Sequence, residues 1–406
     1  CWMRCRLPRN PTLPPAFVTY GWCRSAYTVV RSLARRGVDV HVGDSSRLAM
    51  SRFSRYCKTF TRLPDFYLEP EAYIEAVGQA MNRHGAEVLL PCFEDVELVM
   101  RYRDRLPDHI HVALPDLDDW ALAEDKLDYL TRMRSAGIPV PATWHIRDEE
   151  SLAAAAAEVG YPALVKVRVG NGARGVEIVE SPATLKESVH RLVKTFELPP
   201  DRWPIVQQHL GGRKFKLDGV FCNGEPVGMA PFEILRCKGA GKFGTSTYRR
   251  SIDQPTVVDY ATTALKALNW HGMFNTDWIC DDAGVPHLID INGRLSGAVA
   301  VPYEAGVDLP WLWYQVSAGM KPDAAAIAQS DVHVRWLVGD GIALVEHLLT
   351  GKFHQALSAL RPIPGCRHDD FSWNDPLPLF GESADYFAKF IASRGSIRPV
   401  TEGMVR

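Results

Sequence analysis

The chain has 406 residues, of which 46% are hydrophobic and 23% charged, and its formal net charge is −2. This length exceeds one ordinary core and predicts two or three packed units, and the composition is that of a globular protein. A net charge so near zero provides no overall attraction to nucleic acid or to an anionic membrane surface, so neither is expected as a partner.

Cysteine usage and hydropathy favour a cytoplasmic protein. Nine cysteines are scattered along the chain without a Cys-x-x-Cys pair, so we expect reduced thiols rather than disulfides or a zinc site. No apolar run reaches the ~18 residues of a membrane helix. Residues 1–16 are rich in arginine and proline and lack the apolar stretch of a signal peptide, which predicts a loose tail.

Short apolar strands alternate with helical patterns between Phe17 and about residue 115. This alternation predicts βαβ units on a parallel sheet. Because ligands bind beyond the carboxyl ends of such strands, Gly21–Ser25, Asp44 and Glu94–Asp95 are expected along one rim. The predicted elements are strands at 17–20, 38–42 and 88–90 and helices at 21–33 and 71–83.

A dinucleotide-binding turn is a weaker interpretation of the same region. Gly21 followed by Asp44 at the end of the second strand fits it superficially. However, the turn lacks the second and third glycines that allow a pyrophosphate to approach the backbone. An α/β domain that contributes substrate contacts is therefore favoured.

The pattern changes after Pro115. A helix over residues 118–135 is expected to stop at Gly137, and Asp148 should cap another helix at 152–159. Beyond Asp331 the chain is expected to pack on the core as a structural cap. The remaining predicted elements are strands at 163–168, 176–179, 205–207, 215–221, 226–234, 274–280 and 285–291, and helices after Ser181-Pro182 and at 257–268, 342–349 and 383–393.

The glycine-rich segment from Gly170 to Gly175 joins two predicted strands, whereas a Walker loop or Rossmann turn must open a helix. Gly170, Gly172 and Gly175 leave the backbone N–H groups unobstructed, so the segment could fold over phosphates. A plain flexible turn is an equally good interpretation. Lys166 at the end of the preceding strand and Lys126 suit the charge of a triphosphate, with ordinary surface lysines as the alternative.

Acidic residues mark the predicted hairpin at 274–292. If the chain turns between Ala283 and Gly284, Asp277 lies opposite Asp290 with Cβ atoms ~5 Å apart. Two facing carboxylates repel unless a cation or proton lies between them. Asn292 shares the face of Asp290, and such an all-oxygen set suits Mg²⁺ or Mn²⁺. A solvated acidic hairpin is the alternative.

These motifs form an ordered set that resembles the ATP-grasp carboxylate–amine ligases over residues 17–320. The resemblance implies an α/β fold, α+β in the grasp region: a Rossmann-like pre-ATP-grasp domain (17–115), a two-lobed ATP-grasp domain (116–320, lid at 142–205) and a C-terminal extension (321–406). The segments that carry it are Asp125-Lys126, Gly137–Pro141, Lys166, the glycine-rich segment, Val206–Leu210, Asp277 and Asp290–Arg294.

The resemblance also implies roles for individual residues. Lys126 and Lys166 would hold the phosphates of ATP, with the glycine-rich segment closing over them. Adenine would lie against Gln207, Gln208, His209 and Leu210, and Mg²⁺ or Mn²⁺ would bind Asp277, Asp290 and Asn292. Arg294 would steady an acyl phosphate, so Arg294 and Lys166 are the expected catalytic residues.

One segment departs from the family pattern. Gly212-Arg213-Lys214 occupies the place where many members have a glutamate for the ribose hydroxyls. Asp218, which shares a strand face with Lys214 and Lys216, is the expected substitute. The basic segment 235–250, with Lys238, Lys242, Arg249 and Arg250, is interpreted either as the cradle of an acidic substrate or as a solvated loop.

The resulting hypothesis is a ligase that joins a small carboxylate to an amine, amino acids being candidates, with release of ADP and phosphate. A homodimer is left open. The alternatives are a small-molecule kinase and a nucleotide-binding regulatory module without turnover. The complete set of lysines, aspartates and Asn292 argues against the regulatory module.

Overall fold

The computed structural model describes residues 13–170, 175–238 and 245–392 of the chain. Residues 1–12 of the predicted tail, Gly172 and Lys242 lie outside this part. Within it, no helix has the length and apolar character required to cross a membrane.

A four-stranded parallel sheet forms the N-terminal region, as the alternation of strands and helices predicts. Its strand order is β3-β2-β1-β4, and the carboxyl ends of the strands share one edge. A 3₁₀ turn, Met50–Phe53, precedes β3. The elements are β1 (Ala16–Val18), α1 (Arg24–Arg35), β2 (Val40–Asp44), β3 (Thr59–Arg62), α2 (Pro70–His84), β4 (Val88–Leu90) and α3 (Asp95–Arg101).

The predicted helix at 118–135 is in fact two helices, α4 (Leu117–Glu124) and α5 (Lys126–Ser135). Asp125 between them has an extended backbone, and its carboxylate accepts hydrogen bonds from the N–H groups of Leu127 and Asp128. An aspartate that bonds to nearby backbone competes with helical structure and favours a helix start. The break leaves Lys126 at the first position of α5.

A small antiparallel sheet follows, with strand order β5-β8-β6-β7. β6 and β7 pair as a hairpin on either side of the glycine-rich segment, as predicted. Both helices of this sheet begin with capping boxes, at Asp148 and Ser181, in agreement with the sequence prediction. The elements are β5 (Thr143–His145), α6 (Glu149–Glu158), β6 (Ala163–Lys166), β7 (Val176–Val179), α7 (Pro182–Thr195) and β8 (Ile205–Gln208).

A seven-stranded sheet, in the order β13-β12-β9-β10-β11-β14-β15, dominates the rest of the described chain. β14 and β15 come from the predicted C-terminal extension, so this part of the chain also adds two strands to the sheet. The elements are β9 (Lys214–Cys222), β10 (Glu225–Cys237), β11 (Ser246–Ser251), α8 (Pro255–Ala267), β12 (Gly272–Cys280), β13 (Pro286–Asn292), α9 (Ala300–Glu304), α10 (Leu309–Ser317), β14 (His333–Arg335), α11 (Leu337–Leu349), α12 (Phe353–Leu360), β15 (Arg367–His368) and α13 (Leu377–Ala392).

The hairpin of β12 and β13 places Asp277 opposite Asp290, as predicted. The turn differs from the prediction, because Cys280 pairs with Pro286 and the loop is therefore centred on Ala283. Ile289 is an extra residue in β13, and this bulge restores the predicted pairing of the two aspartates.

Candidate nucleotide and metal site

Two buried lysines approach the site from different elements. Lys126, at the start of α5, donates through Nζ to the carbonyl oxygen of Gly170 at 3.0 Å, and its Nζ is 3.9 Å from Asp290 Oδ1. Lys166, the last residue of β6, donates through Nζ to Gln207 Oε1 at 2.6 Å. The structure thus brings both predicted phosphate-binding lysines close to other members of the predicted site.

The environment of Lys166 disfavours its charge. Burial lowers the pKa of Lys166 to about 8, and the positive charge of Lys126 adds to this effect while the Asp290 carboxylate opposes it. Phosphate groups beside the two lysines would favour their charged forms further, which is the physical basis of the prediction that these lysines hold phosphates.

The connector that was predicted to hold adenine begins within β8. Gln207 is buried and donates through Nε2 to Thr143 Oγ1 at 3.2 Å, so it links β8 to β5 as well as to Lys166. Gln208 is exposed, whereas Leu210 is buried. Contacts of Gln208, His209 and Leu210 with adenine stay predictions.

The C-terminal end of the glycine-rich segment requires a glycine. Gly175 has φ +72°, and a Cβ atom there would lie 2.7 Å from a methyl carbon of Val167. The N–H of Val167 donates to the Gly175 carbonyl at 3.0 Å. Closing this hairpin therefore requires glycine at 175 whether or not a nucleotide binds, while the role of Gly172 stays a prediction.

The facing carboxylates have a cation beside them that sequence reasoning did not assign to the site. Lys216 on β9 pairs with Asp277 of the neighbouring strand, and its Nζ is 2.8 Å from that carboxylate. Asn292 donates through Nδ2 to Asn275 Oδ1 at 3.2 Å and lies 3.5 Å from Asp277 Oδ2. These contacts hold the predicted metal ligands in one group on the sheet.

The donor set fits a hard divalent cation. The Asp277 and Asp290 side chains are 20% and 30% exposed, so a ligand can reach both carboxylates, and at Asp277 it would share the carboxylate with Lys216. Across the described residues, no group of three or more His, Cys, Asp and Glu side chains is arranged to hold a metal. An ion here would therefore use two carboxylates and the Asn292 amide oxygen, a set that suits Mg²⁺ shared with phosphate oxygens.

Arg294 lies where the N-terminal sheet meets the site. Its Nε is 2.6 Å from Glu94 Oε1, and its Nη2 donates to Asn292 Oδ1 at 3.3 Å. Its guanidinium also lies 5.5 Å from the centre of the Phe93 ring. Glu94 follows the carboxyl end of β4, so the N-terminal sheet orients the arginine that was predicted to be catalytic.

Asp95 fixes the end of β4 beside Glu94. Its carboxylate accepts hydrogen bonds from Thr19 Oγ1 at 2.5 Å, from the Tyr73 hydroxyl at 2.7 Å and from the N–H of Phe93 at 3.1 Å. Burial raises the pKa of Asp95 against the effect of these donors. Asp95 is thus a structural anchor, and Glu94 is the acid of this pair that reaches the site.

Asp218 has an environment that does not support the predicted ribose role. It is fully buried and accepts a hydrogen bond from Ser296 Oγ at 2.5 Å. It also lies outside the predicted adenine connector, which is residues 207–210. Burial raises the pKa of Asp218 to about 7. A side chain with no exposed surface offers no open face to a sugar hydroxyl.

Of the basic segment 235–250, the structure describes residues 235–238 and 245–250. Its ends belong to β10 and β11, and both arginines have acidic partners. Arg249 is fully buried with Nη2 2.8 Å from Asp369, and Arg250 Nη2 is 2.7 Å from Glu233. Burial of Arg249 leaves it no surface for a substrate, whereas Arg250 is partly exposed and its role in a cradle stays a prediction; Lys242 lies outside the described residues.

Sequence reasoning missed Lys216, Asn275, Glu94 and Glu124 as members of the site. Glu124 ends α4, and burial together with the negative charge of Glu94 raises the pKa of Glu124 to about 7. The sequence pointed to two of them. Glu94 lies on the predicted rim at the carboxyl ends of the parallel strands, and Lys216 shares a strand face with Lys214. The pairing of β9 with β12, which brings Lys216 to Asp277, has no local signature.

Two family models match the part of the chain that carries this site. Residues 125–197 match the ATP-binding domain of the carbamoyl-phosphate synthase L chain. Residues 202–339 match a model described as ATP-grasp in the biosynthetic pathway with Ter operon. Both models describe ATP-grasp domains, so the matched part of the chain, residues 125–197 and 202–339, carries an ATP-grasp domain.

Solved structures agree with this fold. Biotin carboxylase from Campylobacter jejuni is 18% identical with a TM-score of 0.64, covering 78% of this chain and 74% of its own. An N5-carboxyaminoimidazole synthetase from Staphylococcus aureus complexed with ADP is 15% identical with a TM-score of 0.63, covering 85% and 87%. An L-amino acid ligase from Bacillus licheniformis is 17% identical with a TM-score of 0.55, covering 78% and 76%. The predicted fold class is confirmed.

Proposed function

We propose that the chain is an ATP-dependent ligase that joins a small carboxylate to an amine. The observation that carries the proposal is the convergence of Lys126 and Lys166 with the Asp277–Asp290 pair, beside Arg294. Two buried cations next to a hard-oxygen metal set suit a metal-bound triphosphate. The names of the similar proteins, an amino acid ligase and two enzymes of carboxylation chemistry, support a carboxylate or bicarbonate as the acid.

In the proposed reaction a carboxylate oxygen attacks the γ-phosphorus of ATP, the bond to the bridging oxygen breaks and ADP leaves. The amine then attacks the acyl carbon, phosphate departs with the C–O electron pair and the amine loses a proton. Mg²⁺ bound at Asp277, Asp290 and Asn292 would neutralise phosphate charge. Lys126 and Lys166 hold the phosphates, and Arg294, oriented by Glu94, faces the developing charge of the acyl phosphate.

The direct test incubates the protein with ATP and Mg²⁺ against a panel of carboxylates, bicarbonate and amines. ADP, phosphate and product mass are measured together. A product with an amide or carbamate mass, formed with stoichiometric ADP and phosphate, supports the proposal. A stable phosphorylated product would instead identify a small-molecule kinase, and binding of ATP without any turnover would identify a regulatory module.

A substitution at the metal set sharpens this test. Asp290→Asn is expected to lower ADP release by about 10²-fold or more, because the site loses a charged ligand while keeping its shape. Asp282→Asn at the exposed tip of the same hairpin is the matched control and should behave as wild type. Near wild-type ADP release by Asp290→Asn at ordinary Mg²⁺ would refute the metal assignment.

A further inference from the structure

In most amphipathic helices the apolar side packs on the core, and helix α13 has the opposite orientation. Its polar side faces the core, where Glu382 accepts a hydrogen bond from Trp336 Nε1 at 3.0 Å. Asp385 accepts one from Ser46 Oγ at 2.5 Å and another from Trp22 Nε1. A Cβ atom at Gly381 would lie 2.4 Å from the Phe53 ring, so this side packs closely. These contacts fix which side of α13 faces outwards.

The outward side carries an apolar stripe. Leu377, Phe380, Phe387 and Ile391 are 55%, 66%, 64% and 62% exposed, and Ala384 between them is exposed as well. The intervals of three, four, three and four residues are the a and d spacing of a heptad, which forms a seam for another helix. Large exposed apolar patches on a soluble protein mark interaction surfaces.

Neighbouring helices enlarge the exposed apolar area. α11 packs against both α12 and α13. Large apolar side chains on α11 and α12 are also exposed, namely Val345, Leu348, Leu349, Phe353 and Leu357. At roughly 150–200 Å² for a fully exposed large side chain, the two sets together amount to about 1,000 Å². A stable interface buries about 800 Å² on each partner, so the area suffices for one.

We propose that this surface is the interface between two copies of the chain, with the α13 helices antiparallel across a two-fold axis. The stripe carries no charged residue, so pairing it with itself brings no like charges together. Ala384 is the midpoint of the stripe, and its small side chain allows two helices to approach closely at the axis. Isologous pairing of this kind is the commonest form of protein oligomer.

Residues 393–406 are a poorer occupant of this surface. Residues 393–406 contain three arginines and four large apolar residues, Ile397, Val400, Met404 and Val405. Four such side chains interspersed with arginines cannot match the nine large apolar side chains of the surface. A second copy of the chain supplies nine large apolar side chains to match.

Sedimentation equilibrium of the full chain tests the proposal. Wild type is expected to be a dimer at micromolar concentration, and the double variant Phe380→Glu/Phe387→Glu a monomer. Ile327→Glu is the matched control, because Ile327 is 95% exposed outside the surface, and it should stay dimeric. Thermal unfolding and ATP binding of each variant establish that the fold is retained.

Crosslinking provides a second measurement that does not depend on a destabilising charge. Ala384→Cys is expected to form a disulfide-linked dimer under mild oxidation, because each Ala384 faces its counterpart at the axis. Ile327→Cys and wild type should not. A monomeric wild type overturns the proposal, as does a dimer that survives Phe380→Glu/Phe387→Glu and fails to crosslink through residue 384.

Discussion

At the scale of single residues, Lys166 is a cation whose charge depends on its surroundings. Its side chain is buried between Gln207 and the acidic hairpin, and this burial lowers its pKa from 10.5 to about 8. The protonated form is therefore less stable in the folded protein than in the unfolded chain. The cost to folding is fully present below pH 8 and disappears as the pH rises towards 10.5, so stability increases over that interval.

The same pKa predicts a pH dependence of nucleotide binding. Because the phosphates require the protonated lysine, ATP affinity should fall about fivefold between pH 8 and pH 9. Lys166→Arg should bind ATP with little change over this range, since arginine stays protonated. Calorimetric titrations at constant ionic strength measure both, and an equal decline in the two proteins would exclude Lys166 as the titrating group.

Glu94 acts on the site through Arg294 and is therefore a positioning residue. Glu94→Gln removes the charge that holds the guanidinium at 2.6 Å. We expect kcat for product formation to fall about tenfold while ATP affinity changes less than twofold, because Lys126 and Lys166 are untouched. Glu97→Gln, which loses a pair with Arg101 one turn further along α3, is the control. Parallel losses of kcat and ATP affinity would contradict this division of roles.

At the scale of elements, the break between α4 and α5 joins the first lysine to the glycine-rich hairpin. Asp125 caps α5 and also binds Arg168, with Nε 3.0 Å from Oδ1 and Nη2 2.8 Å from Oδ2. The N–H of Lys126 donates to the Arg168 carbonyl at 3.0 Å. The start of α5 and the end of β6 thus form one unit that sets the position of Lys126.

Asp125→Ala should therefore affect both stability and binding. Loss of the cap and the paired arginine is expected to lower the free energy of unfolding by about 1–3 kcal/mol and to weaken ATP binding as Lys126 loses its support. Asp148→Ala removes an equivalent cap from α6, away from the lysines, and should leave ATP affinity unchanged. Denaturant unfolding measures the stability of both variants, and ATP titration measures their affinity. Unaltered ATP affinity in Asp125→Ala would mean that the position of Lys126 does not depend on Asp125.

At the scale of the whole molecule, Asp369 connects three distant parts of the chain. Its carboxylate is 2.9 Å from Arg24 of α1 and 2.8 Å from Arg249 of β11, and all three side chains are buried. Asp370 next to it accepts hydrogen bonds from the N–H groups of Leu337 and Val338 at the start of α11. The acidic pair therefore ties the C-terminal extension to the N-terminal region and to the large sheet.

Asp369→Ala leaves two buried arginines without their counter-ion and should lower the free energy of unfolding by about 3–5 kcal/mol. Asp39→Ala is the control, because its pair with Lys58 is partly exposed and should contribute less than about 1 kcal/mol. Chemical denaturation measures both. A loss below about 1 kcal/mol for Asp369→Ala would show that the buried ion cluster does not hold these regions together.

Much of the architecture was predictable because it depends on local periodicity. Alternating apolar strands and helices indicate the parallel sheet, and strand parity brings Asp277 to the face of Asp290 and Asn292. The ordered lysines, glycines and acids resemble one family closely enough to predict its fold. The single helix predicted at 118–135 was an error because Asp125 ends α4 and starts α5. The predicted position of the turn between β12 and β13 was an error because Ile289 adds a bulge to β13.

The sequence by itself therefore determined the order of the elements and the residue types that gather at the site. Only the tertiary structure decided that Lys216 neutralises Asp277, that Glu94 orients Arg294 and that Arg249 serves Asp369 rather than a substrate. Each of these pairs joins residues from separate strands or regions, and their meeting depends on sheet order and on how the regions pack. Periodicity along a chain reports which face a side chain occupies, but the partner on that face is chosen by contacts between segments remote in sequence.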